Sequence, residues 1–170
     1  NKSTGNITVN GGTYSNGNFI ENYGLATIND LKDKSFESIS DDALNKYIYK
    51  YNDIYNSGGI LNLNNVDKGY STSRVYNENN SKNKGTINIT GGKYSVIINN
   101  YSGDLNASGT IINDALRNYG TGTVNIEDTT IEETDNSYTI YNGSTGTVNI
   151  KNSDVKSTKV YGIQNYSTGI

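Results

Sequence analysis

The chain contains no cysteine, histidine, tryptophan, methionine or proline. Without cysteine there is no disulfide framework and no thiolate metal site. Without histidine, zinc sites lose their commonest remaining ligand and Ser-His chemistry loses its base. Arg74 and Arg117 are the sole arginines, and the pI is about 4.9. Nucleic-acid binding needs a basic footprint, which is missing here. No apolar run approaches transmembrane length, so no membrane insertion is expected in this segment. The hydrophobic fraction is only 32% over 170 residues. Low hydrophobicity with high charge marks disordered chains, but the net charge is a modest -3. The apolar residues are β-branched or aromatic and regularly placed, as a narrow, quasi-one-dimensional core would require. An initiator Met and a signal peptide are both lacking, so residues 1–170 are expected to be a single segment of a longer protein.

What is present is a recurring phrase: Gly-x-hydrophobic-x-hydrophobic, followed later by hydrophobic-x-Asn. Its closest copies are Gly122-Thr123-Val124-Asn125-Ile126 and Gly146-Thr147-Val148-Asn149-Ile150. Gly85 to Ile89 is nearly the same, and Gly5 to Val9 is looser. A unit of roughly 18 to 35 residues implies stacked coils, each burying its apolar face against its neighbours. The first strand of each coil carries an inward pair: Ile7/Val9, Ala26/Ile28, Leu61/Leu63, Ile87/Ile89, Leu105/Ala107, Val124/Ile126 and Val148/Ile150. Tyr14, Tyr94, Ile131 and Val155 are inward candidates on a shorter second strand. Gly11-Gly12 and Gly91-Gly92 would turn the corner between the two, because glycine reaches positive φ cheaply.

The third segment is the most regular. Its apolar position reads Ile20, Ile54, Val75, Ile98, Leu116, Ile140 and Ile163, and two residues later comes Asn22, Asn56, Asn77, Asn100, Asn118, Asn142 or Asn165. Residues two apart on a strand share a side, so these asparagines are expected inside. A buried carboxamide is costly unless paired, and stacked amides can pair with one another along the axis. The expected fold is therefore an all-β, three-faced parallel β-helix of about seven coils with an internal Asn ladder, right-handed as parallel connections overwhelmingly are. At about 4.8 Å per coil it would form a rod roughly 30–35 Å long.

The Gly-Thr-Val-Asn-Ile copies and the Tyr-x-Ile-x-Asn segments (138–142 and 161–165) resemble pectate-lyase-like β-helices, and most of all the repeat regions of bacterial surface adhesins and autotransporter-type passengers. The resemblance implies the fold and a bacterial cell-surface or extracellular location. Two stretches depart from the repeat. Residues 29–50 form an insertion, a short helix or loop, in which Leu44, Tyr47, Ile48 and Tyr51 follow helical spacing and Ser40, Asp41 and Asp42 suit its start. Residues 67–83 form a polar loop.

Enzymes on this fold act on polysaccharides. A lyase wants clustered Asp with an Arg or Lys base, and a hydrolase wants paired carboxylates across a cleft. Here the arginines lie in different coils. The acidic run Glu127, Asp128, Glu132, Glu133 and Asp135 stacks on Lys151 and Lys156, as cross-strand charge pairs on a solvent face would. No calcium repeat, metal ligand set, cofactor site or catalytic residue is indicated.

The outer face of the first strand carries one row with Asn88, Asn106, Asn125 and Asn149, and a neighbouring row with Thr86, Thr123 and Thr147. Such a grid offers regularly spaced donors and acceptors for a glycan, or simply a soluble sheet face. Leu25, Ile60 and Asp104 interrupt it, which disfavours ice binding. Tyr23, Tyr55, Tyr76, Tyr101, Tyr119, Tyr141 and Tyr166 flank the ladder, and outward members can stack on sugar rings. The binding candidates are thus the Asn and Thr rows with Tyr101, Tyr119, Tyr141 and Tyr166. The expected function is a non-enzymatic stalk or adhesin segment presenting these rows to a host or microbial surface glycan or protein. Further coils of its own chain or of another copy would stack on its ends. A polysaccharide lyase or glycoside hydrolase domain and a self-assembling fibre module are the alternatives.

Overall fold

β-Branched residues alternating with polar ones make short strands that can bury one side only. The computed structural model describes residues 5–14, 20–33, 54–68, 74–79, 83–99, 101–133, 138–158 and 161–166. In chain order the strands are β1 (Asn6–Tyr14), β2 (Ile20–Asn22), β3 (Leu25–Asp33), β4 (Ile54–Ser57), β5 (Ile60–Asn64) and β6 (Asp67–Lys68). There follow β7 (Arg74–Glu78), β8 (Thr86–Thr90), β9 (Lys93–Asn99), β10 (Asp104–Ser108), β11 (Ile111–Asn118) and β12 (Thr123–Glu127). The last are β13 (Thr130–Glu133), β14 (Tyr138–Asn142), β15 (Thr147–Lys151), β16 (Asp154–Ser157) and β17 (Tyr161–Asn165).

Every registered pairing is parallel, and the pairings fall into three stacks. On the first face Ile7, Ala26, Leu61, Ile87, Leu105, Val124 and Val148 lie in one register, as the repeat predicts. On the second, Lys68, Tyr94, Ile112, Ile131 and Val155 are stacked. On the third, Ile20, Ile54, Val75, Ile97, Leu116, Ile140 and Ile163 are stacked. The chain is an all-β parallel solenoid. From Ile60 to Asn165 it makes about five turns, against the seven expected, and the earlier turns are described only in part. Among the described residues there is no helix. Residues 29–33 belong to β3 rather than to the predicted insertion, whose remainder lies outside the described residues. Asp67–Lys68 and Arg74–Glu78 are strands within the stretch expected to be a polar loop.

The corner after the first face obeys one rule. Gly11, Asp30, Asn65, Gly91, Gly109, Asp128 and Asn152 occupy the same place in successive turns, and all have φ between 48° and 65°. Only Gly, Asn and Asp fill it, because they are the residues that enter the left-handed region at least cost. The glycine pairs at 11–12 and 91–92 signalled this corner, but the Asp and Asn versions of it were not recognised.

The inner ladder runs unbroken. Asn22 donates to Asn56 (2.8 Å), Asn56 to Asn77 (2.9 Å), and Asn77 to Asn99 (2.9 Å). Asn99 donates to Asn118 (3.0 Å), Asn118 to Asn142 (2.9 Å), and Asn142 to Asn165 (3.0 Å). The fourth rung is Asn99, not the predicted Asn100, which lies outside the described residues. The run Val96-Ile97-Ile98-Asn99-Asn100 allows both frames. The chosen frame puts Ile97 in the core and Asn99 four residues before Gly103, the spacing of Asn118 to Gly122 and Asn142 to Gly146. It also turns Val96 and Ile98 outward, where they pack with Ala115 and Tyr76 in a second apolar cluster.

The ladder explains the repeat's glycine. Each amide also donates to the carbonyl of the glycine that precedes the next first-face strand: Gly24, Gly59, Gly85, Gly103, Gly122 and Gly146. A Cβ on Gly59 would lie 2.8 Å from Asn22 Nδ2, and one on Gly122 would lie 2.8 Å from Asn99 Nδ2. The preceding turn's glycine carbonyl lies closer still, so that carbonyl and the amide donating to it together fill the space that a side chain would need.

The core is a column of Ile, Leu, Val and Ala, with Tyr94 as its one large polar-tipped member. Burial, reinforced by nearby Asp67, pushes the Tyr94 hydroxyl well above its ordinary value of 10.0, and the Val66 backbone pulls weakly the other way.

Asn118→Leu should cost about 1–3 kcal/mol in urea unfolding, because it strands the amides on either side. Gly122→Ala should cost a similar amount, about 1–3 kcal/mol, by overpacking against the Gly103 carbonyl and the Asn99 amide bonded to it. Gly162→Ala, with no heavy atom within 4 Å of the added Cβ, should stay within about 0.5 kcal/mol. Equal penalties at Gly122 and Gly162 would show that close packing between turns does not require glycine at 122. A second test concerns Tyr94, whose folded-state value is raised, so its contribution is intact below pH 10 and is lost above it as the unfolded chain releases the proton. Stability should fall by up to about 1.4 kcal/mol per pH unit above pH 10 from this group alone. Tyr94→Phe should flatten that slope, and an unchanged slope would show that Tyr94 is not its source.

Candidate functional site

The polar face of the first sheet is built by parity. With the even members of Val124-Asn125-Ile126 inside, Asn125 must face out. Asn88, Asn106, Asn125 and Asn149 are in register, with Asn106, Asn125 and Asn149 exposed and Asn88 half-buried. They are bonded to one another: Asn149 donates to Asn125 (2.8 Å), Asn125 to Asn106 (2.8 Å), Asn106 to Asn88 (2.9 Å) and Asn88 to Asn62 (2.9 Å). Asn62 then reaches the Thr27 hydroxyl at 3.2 Å. Thr86, Thr123 and Thr147 flank this row, half-buried and in register except where Asp104 interrupts them. Asp104 itself is held by Lys84 at 2.8 Å and by the Thr123 N–H at 3.4 Å. The predicted grid is therefore present, but each amide has spent one N–H on its neighbour, and Asn88, Asn106 and Asn125 have spent their carbonyls as well. What remains for a ligand is a shallow trough with one amide proton per rung.

The third face is different in kind. Its outward central row reads Tyr55, Tyr76, Ile98, Arg117, Tyr141 and Gln164. Tyr55 and Tyr76 stack with centroids 4.5 Å apart and planes 10° apart. Further along, Tyr138 stacks on Tyr161 at 5.6 Å, and Tyr141 sits tilted against both Tyr138 (5.7 Å) and Tyr119 (5.5 Å). The Tyr141 ring lies over Gly143, where a Cβ would meet its Cζ and hydroxyl at 2.9 Å. Arg117 Nη1 donates to the Tyr119 hydroxyl at 3.2 Å. Arg117, Tyr119, Tyr138, Tyr141, Gln164 and Tyr166 line one depression. An adjoining one is lined by Tyr101, Ser102, Tyr119, Gly120 and Thr121.

The four predicted tyrosines thus fall on one surface, with Tyr119 shared between its two hollows. Tyr101 is 65% exposed, Tyr119 45% and Tyr166 60%, whereas Tyr141 is half-buried. Sequence reading missed Arg117, Tyr138 and Gln164 as site residues. Arg117 and Gln164 are the middle residues of hydrophobic-x-Asn, so parity along the repeat could have found them, whereas parity puts Tyr138 on the side of Ile140 and Asn142 and gives no signal for it.

The acidic run divides. Glu127 pairs with Lys151, and Glu132 with Lys156 at 3.9 Å, all solvent-facing as predicted. The Glu127 hydrogen bond, followed by its charge, raises the Lys151 ammonium above its usual range. Glu133, placed on the same solvent face by sequence, is instead fully buried. Asp135, Asp41 and Asp42 lie outside the described residues. Among the described residues no three His, Cys, Asp or Glu side chains converge on a metal position.

What this geometry presents is a row of aromatic faces with one guanidinium and one carboxamide. No protein-family model, curated protein or solved structure matches this chain.

Proposed function

We propose that this chain is a non-enzymatic, extracellular or cell-surface solenoid segment that binds glycans through the tyrosine surface of its third face. The observation that carries the reading is the cluster of Tyr119, Tyr138, Tyr141 and Tyr166 around Arg117 and Gln164. Exposed aromatic clusters mark contact sites, and flat rings match the C–H faces of sugars. Arg117 and Gln164 add donors, and Gln164 an acceptor, for sugar hydroxyl or carboxylate groups. The continuous parallel ladders suit a rod whose task is to hold that surface at a distance. The adhesin or autotransporter-passenger reading is consistent with this surface and rests on the repeat's resemblance to those proteins.

The test is a glycan array probed with the purified chain, with a reducing-end assay on the same polysaccharides. Binding without cleavage is expected. Tyr119→Ala should weaken it by about tenfold or more. Asn125→Ala, on the self-bonded first face, should leave affinity within about twofold. Cleavage would overturn the non-enzymatic part, and silence across the array would overturn the glycan-binding part. An effect confined to Asn125→Ala would move the site to the first face.

A further inference from the structure

Among the described residues, the hollow around Tyr119 and Tyr141 is lined by one cation, Arg117, and by no acid. That is uncommon company for an arginine in a chain where Asp and Glu outnumber Lys and Arg by 17 to 14. Other surface cations are matched to carboxylates: Lys84 to Asp104, Lys151 to Glu127 and Lys156 to Glu132. Arg117 has no such match among the described residues. Its guanidinium is half-buried and donates from Nη1 to the Tyr119 hydroxyl at 3.2 Å. Two turns back on the same face, Arg74 makes the equivalent bond to Tyr76 at 3.1 Å, so this sheet holds an arginine in place in a repeated way. Arg74 has further interactions of its own, which sets Arg117 apart.

A guanidinium carries five N–H donors in a planar fork. At Arg117 one of them is spent on a neutral phenol, which fixes the fork without neutralising it. That is the state in which arginine takes a carboxylate through two parallel bonds. The tyrosine rings beside it offer flat apolar faces, and the Gln164 carboxamide offers a donor and an acceptor. The hollow measures about 320 Å³, the low end of the range for small-molecule sites, and so suits a terminal unit better than a length of polymer.

We propose that the tyrosine surface selects acidic sugars: a terminal pyranose whose carboxylate is taken by Arg117 while its ring stacks on a neighbouring tyrosine. This inference rests on the glycan-binding reading and narrows it. The planar fork matches the two in-plane oxygens of a carboxylate better than the tetrahedral oxygens of a sulfate ester. Charge sets a second limit. One guanidinium can neutralise one carboxylate, but a chain of net charge -3 repels a densely charged polymer.

The experiment measures binding of the intact chain to sugars that differ at one group. These are glucose and galactose as neutral glycosides, uronic acids, methyl esters of those acids and sulfate esters, with lactose bearing or lacking a terminal sialic acid. At least one carboxylate form should bind about tenfold or more tighter than its uncharged counterparts. Its advantage should shrink as salt is raised. Arg117→Gln should bring charged and uncharged forms within about twofold of one another, and Arg117→Lys, which keeps the charge but not the fork, should retain only part of the preference. The acid-to-ester comparison uses the native chain alone, so it decides the matter even if Arg117→Gln does not fold. Equal binding of acid, ester and neutral forms would overturn this inference and leave the glycan-binding reading standing. So would a preference that survives Arg117→Gln, or a sulfate ester preferred to the acid. Silence toward every sugar would instead overturn the glycan-binding reading, and this inference with it.

Discussion

The rest of the structure hangs on the wedge between a buried asparagine and the glycine beyond it. A solenoid with so few apolar residues cannot hold its register by greasy packing alone. The Asn amide supplies what packing lacks: a bond along the axis to the next Asn and a bond across to the glycine carbonyl. Both require the same local geometry, and both fail if the turn slips by one residue, because a slip sends every inward side chain outward. The glycine is present because the preceding turn's glycine carbonyl, with the amide bonded to it, fills the position of its Cβ. Turn length can therefore vary, from the tight turn of β10–β11 to the long insertion after β3, without loss of register.

Once the interior is fixed in this way, the three outer faces are free to differ. The first is a self-satisfied amide sheet, and the third is aromatic. The latter leaves aromatic faces free to stack, whereas the first keeps only one amide proton per rung, which is why the tyrosine surface is the better candidate for recognition. The corner residues reinforce the arrangement from outside. The left-handed position after the first face sets the angle between faces, turn after turn, with Gly, Asn or Asp.

Much of this was legible in the chain. The register of the first face followed from the alternation of Ile7 to Val148 alone, and the ladder followed from hydrophobic-x-Asn. The miss at Asn99 arose where Ile97-Ile98-Asn99-Asn100 satisfies the pattern in two frames, and only the distance to Gly103 separates them. Glu133 was misplaced for a related reason. Its acidic neighbours pair with lysines in the next turn, and charge alone said nothing of the parity that turns Glu133 inward with Ile131. The tyrosines were found as a list and not as a surface. Their convergence depends on Tyr138 approaching Tyr141 within β14, although strand alternation would put residues three apart on opposite sides, and one-dimensional spacing does not encode that.

The two amide columns have opposite polarity. Inside, each Asn donates to the next one along the chain, whereas on the first face each donates to the one before. Amides bonded head to tail add their dipoles as the peptides of a helix do. A single such column would leave a partial charge at each end and a dipole moment that grows with every turn added. Columns running oppositely offset one another's field, and the short run from Asn64 through Asn29 to Asn10 points the same way as the first-face column. The rod can therefore lengthen turn by turn with a weaker electrical dipole than a single column would build, and its ends attract counter-ions and each other less on that account.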